Sequence, residues 1–280
     1  YNFFAGPESI KIIIENKFNI WLIAIAHIPT LYFDSLAWLT LTSKNKLSLS
    51  KAFLITWISQ TSGKFMPTGN VTGEFVRFFL AKQSGQNVTE ASSTVLVDLF
   101  VATFSLFIVG FLSFIYLASN FSMVFSENDI LYFIVGLLII LVASFLFFIF
   151  IKKRIFSKLL RFSSKRVFFK IDKKKIYTLF RLDLALYKLS FHKHKLIKAL
   201  FSRLIGWFAG ALEIYIFFWI IGIDAKLPDV ILIETVTATI RSLAFFIPAG
   251  LGVQEFAFVM IGEFLGFNGV ISFSIAIGRR

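Results

Sequence analysis

The sequence contains no cysteine, which excludes disulfides, thiolate metal ligands and covalent haem attachment. Charged residues are also scarce, at 16% of the 280 residues, whereas a soluble globular domain has about 25%. Only three histidines are present, and His192 and His194 lie two positions apart, so on a helix they point to different faces. The nucleotide-binding motif G-x-x-x-x-G-K-[ST] does not occur in the sequence. We therefore predict neither a metal site nor a cofactor.

Apolar residues dominate what is present, at 57% of the chain with a mean hydropathy of +0.80. Residues 99–126 and 130–151 contain no charge, and residues 18–43 and 204–223 contain few polar interruptions. Each run covers the roughly 20 residues that cross about 30 Å of hydrocarbon as a helix. This pattern predicts an all-α, polytopic integral membrane protein with a single transmembrane domain over residues 1–280. Because the sequence begins with Tyr and ends beside an apolar run, we expect it to belong to a longer chain.

Basic residues are concentrated in one segment. Residues 152–198 hold 16 of the 29 Lys and Arg residues, against only Asp172 and Asp183. A patch for nucleic acid or for an anionic substrate is one interpretation. We favour a basic cytoplasmic amphipathic loop, because the segment lies between two predicted spans and cytoplasmic loops are rich in Lys and Arg. Its apolar residues alternate with the basic ones, as in helices that lie on anionic headgroups. We predict no nucleic-acid partner.

Two stretches of the sequence repeat one another. "FMPTGNVTGEF" begins at residue 65 and "FIPAGLGVQEF" begins at residue 246, with the same spacing of Pro, Gly, Glu and Phe. Each lies between apolar segments, so we predict two elements that are each a helix, a break and a second short helix. The first covers residues 51–85, with its leading helix over 52–65. The second covers residues 229–266, with helices over 230–247 and 257–265.

The half-helices beside each break are too short to cross a bilayer singly. They are therefore predicted to form re-entrant hairpins. Three spans lie between the two elements, an odd number, so the first hairpin is expected to enter from the cytoplasmic side and the second from the opposite side. Interrupted segments at corresponding positions of inverted halves are typical of a transport site. The fold prediction is thus an inverted-repeat helix bundle with two Pro/Gly-broken re-entrant hairpins.

The candidate substrate-binding residues lie in these elements and in the charged positions of nearby spans. Glycines permit the tight backbone that the prolines begin, and freed N–H groups at a half-helix start can face an anion. The glutamates after each break either complement the helix dipole or contact a cationic part of the substrate. The set is Pro67, Gly69, Gly73, Glu74, Arg77, Glu213, Glu234, Arg241, Pro248, Gly250, Gly252 and Glu255.

Other polar residues in or near the spans have simpler interpretations. Glu234 and Arg241 lie seven residues apart, too far for a direct pair, so each is expected to meet a partner on another element. Arg203 and Lys82 are expected to extend toward the membrane surface. The role of Asp34 stays open between a charge within a span and a helix-end residue. His27 is interpreted as a packed or hydrogen-bonded histidine rather than a proton relay.

The repeated motifs, with the runs "RLIGWFAGALEIYIFFWIIG" and "ETVTATIRSLAFFIPAGLGVQEFAFVMIG", resemble the flippase-like family typified by the transmembrane region of lysylphosphatidylglycerol synthase. The second run is similar to its hopanoid-associated (HpnL-like) branch. The resemblance covers residues 18–280 and implies a helical inner-membrane domain that translocates or binds a lipid. The implied cargoes are aminoacylated phosphatidylglycerol, polyprenyl-linked carriers or hopanoid-type lipids. No soluble aminoacyl-transferase domain is present, so the resemblance does not imply synthase activity.

The sequence therefore predicts a lipid flippase or transporter in the bacterial inner membrane, whose cargo passes through a polar cavity between the two broken elements. It predicts no enzymatic activity. An alternative is a transmembrane lipid-binding scaffold that serves a lipid-modifying enzyme partner. A membrane-embedded enzyme is the other alternative, with Glu213 and Glu234 as its only obvious acid/base groups. The cargo, the direction of movement, the coupling ion and the oligomeric state are not determined by the sequence.

Overall fold

The computed structural model describes residues 7–19, 21–43, 47–66, 70–120, 127–155, 158, 173–244, 247 and 250–279. All regular secondary structure in these ranges is helical, which confirms the all-α prediction. The helices are α1 (Pro7–Glu15), α2 (Trp21–Leu41), α3 (Leu49–Phe65), α4 (Asn70–Gln83), α5 (Val88–Asn120), α6 (Glu127–Lys152), α7 (Lys173–Ser190), α8 (Lys193–Ile220), α9 (Leu227–Leu243), α10 (Val253–Phe264) and α11 (Gly269–Gly278).

Within the described ranges, four helices are long and apolar enough to cross a membrane, namely α2, α5, α6 and α8. They coincide with the four apolar runs of the sequence, so the prediction of a polytopic membrane protein is confirmed. Some of these helices extend beyond the apolar run of the sequence, because polar residues are tolerated where a helix leaves the hydrocarbon. In α5, for example, the helix begins at Val88 and carries Glu90 in its first turn, where a negative charge complements the helix dipole.

The helix order repeats. The span α2 is followed by the interrupted pair α3 and α4 and then by α5, and the span α8 is followed by the interrupted pair α9 and α10 and then by α11. Within each set, every helix packs against the next one along the chain. The two leading spans, α2 and α8, form the most extensive helix pair of the molecule. Residues from the second set, with α8, form a large apolar core that includes Ile214, Phe217, Val230, Phe258 and Ile275.

The two leading spans run antiparallel. His27 near the start of α2 contacts Glu213 in the second half of α8, with 2.7 Å between Nδ1 and Oε1. Asp34, further along α2, contacts Arg203, which lies earlier in α8. Because each span leads directly into its own interrupted pair, the two hairpins begin at opposite ends of the bundle. This arrangement is the inverted relation that the odd number of intervening spans predicts.

The second break lies four residues earlier in the chain than predicted and has the same length. Helix α9 ends at Leu243, although the predicted helix continued to residue 247, and α10 begins at Val253 rather than at residue 257. Gly250 and Gly252 have φ values of 62° and 79°, a left-handed conformation that glycine adopts without steric cost. These two glycines end the break and allow α10 to start early. The predicted bend residues Pro67, Gly69 and Pro248 lie outside the described residues.

The basic segment at 152–198 is described only in part. Its helix α7 packs against α5 and α6, and Leu182 and Leu186 are buried in a core shared with Leu41 and Val97. The segment therefore covers one end of the bundle in addition to carrying positive charge. Its last six predicted residues belong to a span, because α8 begins at Lys193 and residues 193–198 form its first turns.

Candidate functional site

Charged side chains from four helices and one glutamine from a fifth form one network, which we call the Arg203 cluster (Asp34, Gln60, Glu74, Arg77, Asp98 and Arg203). The Arg203 guanidinium on α8 donates to Asp34 on α2 over 2.7 Å and also to Asp98 on α5. Arg77 on α4 donates to the same Asp98 oxygen over 2.7 Å. The two arginines therefore share a carboxylate that is fully buried.

The hairpin helices complete this cluster. Gln60 on α3 donates through Nε2 to Asp34 Oδ2 over 2.7 Å, and Glu74 on α4 lies 3.4 Å from Arg77. The Arg77 guanidinium also stacks near the ring of Trp38, 5.7 Å from its centre. Removing a charge from water costs several kcal/mol unless partners surround it, and the Arg203 cluster supplies those partners. It joins the first hairpin to α2, α5 and α8.

One interpretation from the sequence is wrong at this cluster, and one of two open possibilities is excluded. Arg203 does not extend toward the membrane surface, because its guanidinium bridges Asp34 and Asp98 inside the bundle. Asp34 is not a helix-end residue, because α2 continues for two further turns to Leu41. The sequence did contain a signal for this cluster, since Asp98 lies in a membrane-length apolar segment and needs a partner from another helix.

A second network, which we call the Arg279 cluster (His27, Thr30, Glu213, Glu234 and Arg279), lies nearer the opposite end of α2 and α8. Arg279, directly after α11, donates through Nε to Glu213 over 3.0 Å and pairs through both Nη atoms with Glu234 on α9. Glu213 also accepts from Thr30 over 2.9 Å. Glu213 and Glu234 are both buried, so the site predictions Glu213 and Glu234 meet around one arginine.

Arg279 was missed as a site residue because nothing in the local sequence distinguishes it from a residue flanking an apolar run. The expectation that Glu234 has its partner on another element is confirmed by this contact. His27 is hydrogen-bonded, as predicted, through its contact with Glu213.

The ends of the leading half-helices converge on the Arg279 cluster. Lys64, in the last turn of α3, interacts electrostatically with Glu213 and Glu234, and it is repelled by Arg279 and Arg241. Its side chain is exposed, yet it forms no ion pair with any residue that the structure describes. Arg241, in the last turn of α9, donates to Gln254 on α10 over 3.2 Å. Lys64 and Arg241 therefore bring the two hairpins, which begin at opposite ends of the bundle, to one charged region.

The glycines act in two different ways. Gly250 turns the chain beside Arg241, where a Cβ would lie 3.1 Å from Arg241 Cγ. Gly73 has another role than the predicted backbone bend, because it lies inside α4. A Cβ there would lie 2.8 Å from the Ser59 carbonyl oxygen, and Ser59 donates to the Gly73 carbonyl over 2.7 Å. Gly73 thus lets α3 and α4 approach closely.

Glu255 lies at the start of α10, where its carboxylate accepts from the Gly252 N–H over 2.9 Å. This is the geometry of an N-terminal capping interaction. Of the two roles expected for Glu255, the contact favours the one that complements the helix start.

Within the described residues, no group of three or more His, Asp and Glu side chains is arranged to hold a metal ion. A surface pocket lies at the end of α8, lined by Tyr215, Trp219 and the turn 222–225, and neither cluster contributes to it. The candidate site therefore consists of the two clusters of ion pairs and of the basic side chains near them.

The family model described as "Lysylphosphatidylglycerol synthase TM region" matches residues 3–280. No curated protein and no solved structure shows a significant match to the chain. The match spans both hairpins, the basic segment and all four membrane-spanning helices.

Proposed function

The chain belongs to the lysylphosphatidylglycerol synthase TM region family, and we propose that it is a lipid transporter that moves an anionic phospholipid between the leaflets of the bacterial inner membrane. A multi-pass membrane protein of this family is tied to lipid modification or transport. The proposal is that the headgroup crosses between the two hairpin ends while the acyl chains stay in the bilayer.

The observation that carries the proposal is the convergence of Lys64 and Arg241 on the Arg279 cluster. Lys64 interacts with Glu213, Glu234, Arg279 and Arg241, so three basic side chains lie near one another beside the two carboxylates. A phosphate is the headgroup element that pairs with such a set of cations. Its binding would also gain charge-assisted hydrogen bonds, which are stronger than neutral ones.

Apolar side chains next to these cations support a lipid cargo rather than a soluble anion. Phe65 follows Lys64 and is 79% exposed, and Leu251 lies in the second break and is 56% exposed. Exposed apolar side chains at membrane depth contact hydrocarbon. A phospholipid offers both chemistries, because its phosphate matches the cations and its chains match the apolar surface.

Leaflet exchange in reconstituted vesicles tests the proposal. Fluorescent phosphatidylglycerol is placed in both leaflets, and a membrane-impermeant quencher reports how fast the inner-leaflet lipid becomes accessible. We expect protein-dependent exchange that Lys64→Gln slows about tenfold, because a hydrogen bond to a charged group contributes about 1.5–3 kcal/mol. Lys82→Gln is the matched control, since Lys82 is exposed on the same hairpin away from the break. Vesicles with the wild-type protein that exchange no faster than empty vesicles would contradict transport.

The alternative role is a lipid-binding membrane domain that serves a lipid-modifying enzyme, and the family description favours it because it names the transmembrane region of a synthase. Lipid that co-purifies with the protein, without any leaflet exchange, would favour this alternative. We propose that the chain itself is not an enzyme. Its buried carboxylates Glu213 and Glu234 are occupied by Arg279, so neither is placed as a free acid or base. Mass spectrometry of the vesicle lipids is expected to show unchanged headgroups.

A further inference from the structure

The surface pocket at the end of α8 combines aromatic rings with a carboxylate, and the proposed transport does not use it. Tyr215 and Trp219 lie four residues apart, so they share one face of α8, and the turn 222–225 completes the pocket beside them. Asp224 in this turn is exposed and forms no hydrogen bond or ion pair with any residue that the structure describes. The faces of aromatic rings carry partial negative charge, so the rings and the carboxylate both favour a cation.

The backbone gives this pocket a defined shape. The N–H of Ile223 donates to the Phe218 carbonyl over 2.9 Å, and Ala225 is buried in the apolar core that includes Phe217. The pocket has a volume of about 290 Å³, at the lower end of the roughly 300–1,000 Å³ of small-molecule sites. It therefore accommodates one polar headgroup rather than a complete lipid.

The exposed face of α8 continues from the pocket toward the membrane interior. Phe208 and Leu212 are exposed and lie seven and three residues before Tyr215, on the same face of the helix. Acyl chains are as apolar as these side chains, so a chain that lies along them would bring its headgroup to the pocket. Lys226, two residues after Asp224, is also exposed and forms no ion pair in the described part of the chain. The pocket thus presents one negative and one positive group, as a zwitterionic headgroup requires.

We propose that this pocket binds a phospholipid with a primary ammonium headgroup, of the phosphatidylethanolamine type. The ammonium contacts the Trp219 ring and pairs with Asp224, and the phosphate lies toward Lys226. Aromatic residues are common where spans reach the membrane surface, so the rings alone would not indicate a ligand, but the carboxylate without a partner beside them does. The end of α8 lies opposite the basic helix α7 and is predicted to face away from the cytoplasm. The bound lipid is accordingly one of the outer leaflet, and this inference does not rest on the transport function.

Native mass spectrometry of the protein in detergent, with added phosphatidylethanolamine, tests the site by counting bound lipid at each lipid concentration. The matched probe is N-acetylated phosphatidylethanolamine, which keeps the phosphate and the chains but lacks the ammonium. We expect the wild type to bind phosphatidylethanolamine about tenfold more tightly than this probe, because the probe loses an exposed ion pair and a cation–π contact. Asp224→Asn is expected to lower the affinity for phosphatidylethanolamine about fivefold, and Trp219→Leu about threefold. Neither variant is expected to change binding of the acetylated probe.

The controls are an acid and a tryptophan at the same end of the bundle. Glu263 is exposed in the last turn of α10, and Trp21 is exposed at the start of α2, so Glu263→Gln and Trp21→Leu are expected to bind phosphatidylethanolamine as the wild type does. Without added lipid, Asp224→Asn is expected to keep the wild-type denaturation midpoint, so weaker binding is not a folding defect. Equal binding of the two lipids by the wild type, or a preference that survives in Asp224→Asn, would overturn the inference. Displacement of the lipid by an equal concentration of free phosphoethanolamine would also overturn it, because the pocket would then take a soluble amine.

Discussion

Asp98 shows at the scale of one residue how this bundle tolerates charge. The side chain is fully buried and accepts hydrogen bonds from Arg77 and Arg203. Each partner comes from a different helix, so the carboxylate ties the first hairpin to α8. A buried ion pair contributes little on its own, but removal of one partner leaves the other charges without compensation.

Asp98→Asn is therefore expected to destabilise the protein strongly. The amide cannot neutralise two guanidinium groups, and we expect the free energy of unfolding to fall by about 3–5 kcal/mol. Thermal denaturation of the purified protein in detergent measures the change. The exposed Asp224 provides the control, and Asp224→Asn is expected to leave the denaturation midpoint unchanged. Equal midpoints for the two variants would mean that the Arg203 cluster is not held together by Asp98.

Glu255 illustrates a different case, a carboxylate with a hydrogen bond at the start of its own helix. Its hydrogen bond goes to the Gly252 N–H at the start of its own helix. Glutamine serves equally well at this position of a capping box, so Glu255→Gln is expected to keep the leaflet exchange rate within about twofold of the wild type. Glu255→Ala removes the cap and is expected to lower stability by about 1 kcal/mol. A large loss of exchange in Glu255→Gln alone would show that the negative charge itself contacts the lipid.

At the scale of the element, the first hairpin depends on the close approach of two helices. Small residues make such contacts between membrane helices, since neighbouring lipid offers no hydrophobic driving force for association. Ser59, Gly63 and Gly73 meet where α3 and α4 pack together. This close packing sets the orientation of α3, and therefore the position of Lys64 relative to the Arg279 cluster.

Gly73→Ala is expected to separate α3 from α4, because the new Cβ would lie 2.8 Å from a backbone oxygen that cannot move away as a side chain can. Overpacking of this kind costs about 1–3 kcal/mol, and the leaflet exchange rate is expected to fall with the stability. Gly136→Ala in α6 is the matched control, since its Cβ would meet only the end of the flexible Leu243 side chain. If both variants behave alike, the close contact between α3 and α4 is not required.

At the scale of the whole molecule, the antiparallel packing of α2 against α8 places the two hairpins in opposite orientations. Residues at the start of α3 and at the start of α9 then lie at opposite ends of the bundle. The basic helix α7 packs at the same end as the start of α3, where Leu186 shares a core with Leu41. By the positive-inside rule, this end is predicted to face the cytoplasm.

Single-cysteine labelling tests this orientation, and the absence of native cysteine makes each introduced thiol unique. Ser50→Cys at the start of α3 and Lys226→Cys before α9 are both at exposed positions. In sealed vesicles, a membrane-impermeant maleimide is expected to label one of them from one side and the other only from the opposite side. Lys193→Cys, at the start of α8, serves as a control that is expected to label together with Ser50→Cys. Labelling of Ser50→Cys and Lys226→Cys from the same side would contradict the inverted arrangement.

The sequence alone determined that the chain is a helical membrane protein, where its four spans lie, and that two elements are interrupted at corresponding positions. Those features depend on local properties, because hydropathy, run length and glycine at a turn act within one segment. The family resemblance had the same basis and is confirmed by the match over residues 3–280.

Only the tertiary structure decided which charges meet. Arg203 and Asp98 lie 105 positions apart, and His27 and Glu213 lie 186 apart, so no local pattern relates them. The sequence showed that several charges were present in apolar segments and required partners, but the prediction for Arg203 was wrong and Arg279 was not identified as a site residue. Partner choice depends on helix depth and direction across the whole bundle, and these follow from how the two halves pack against each other.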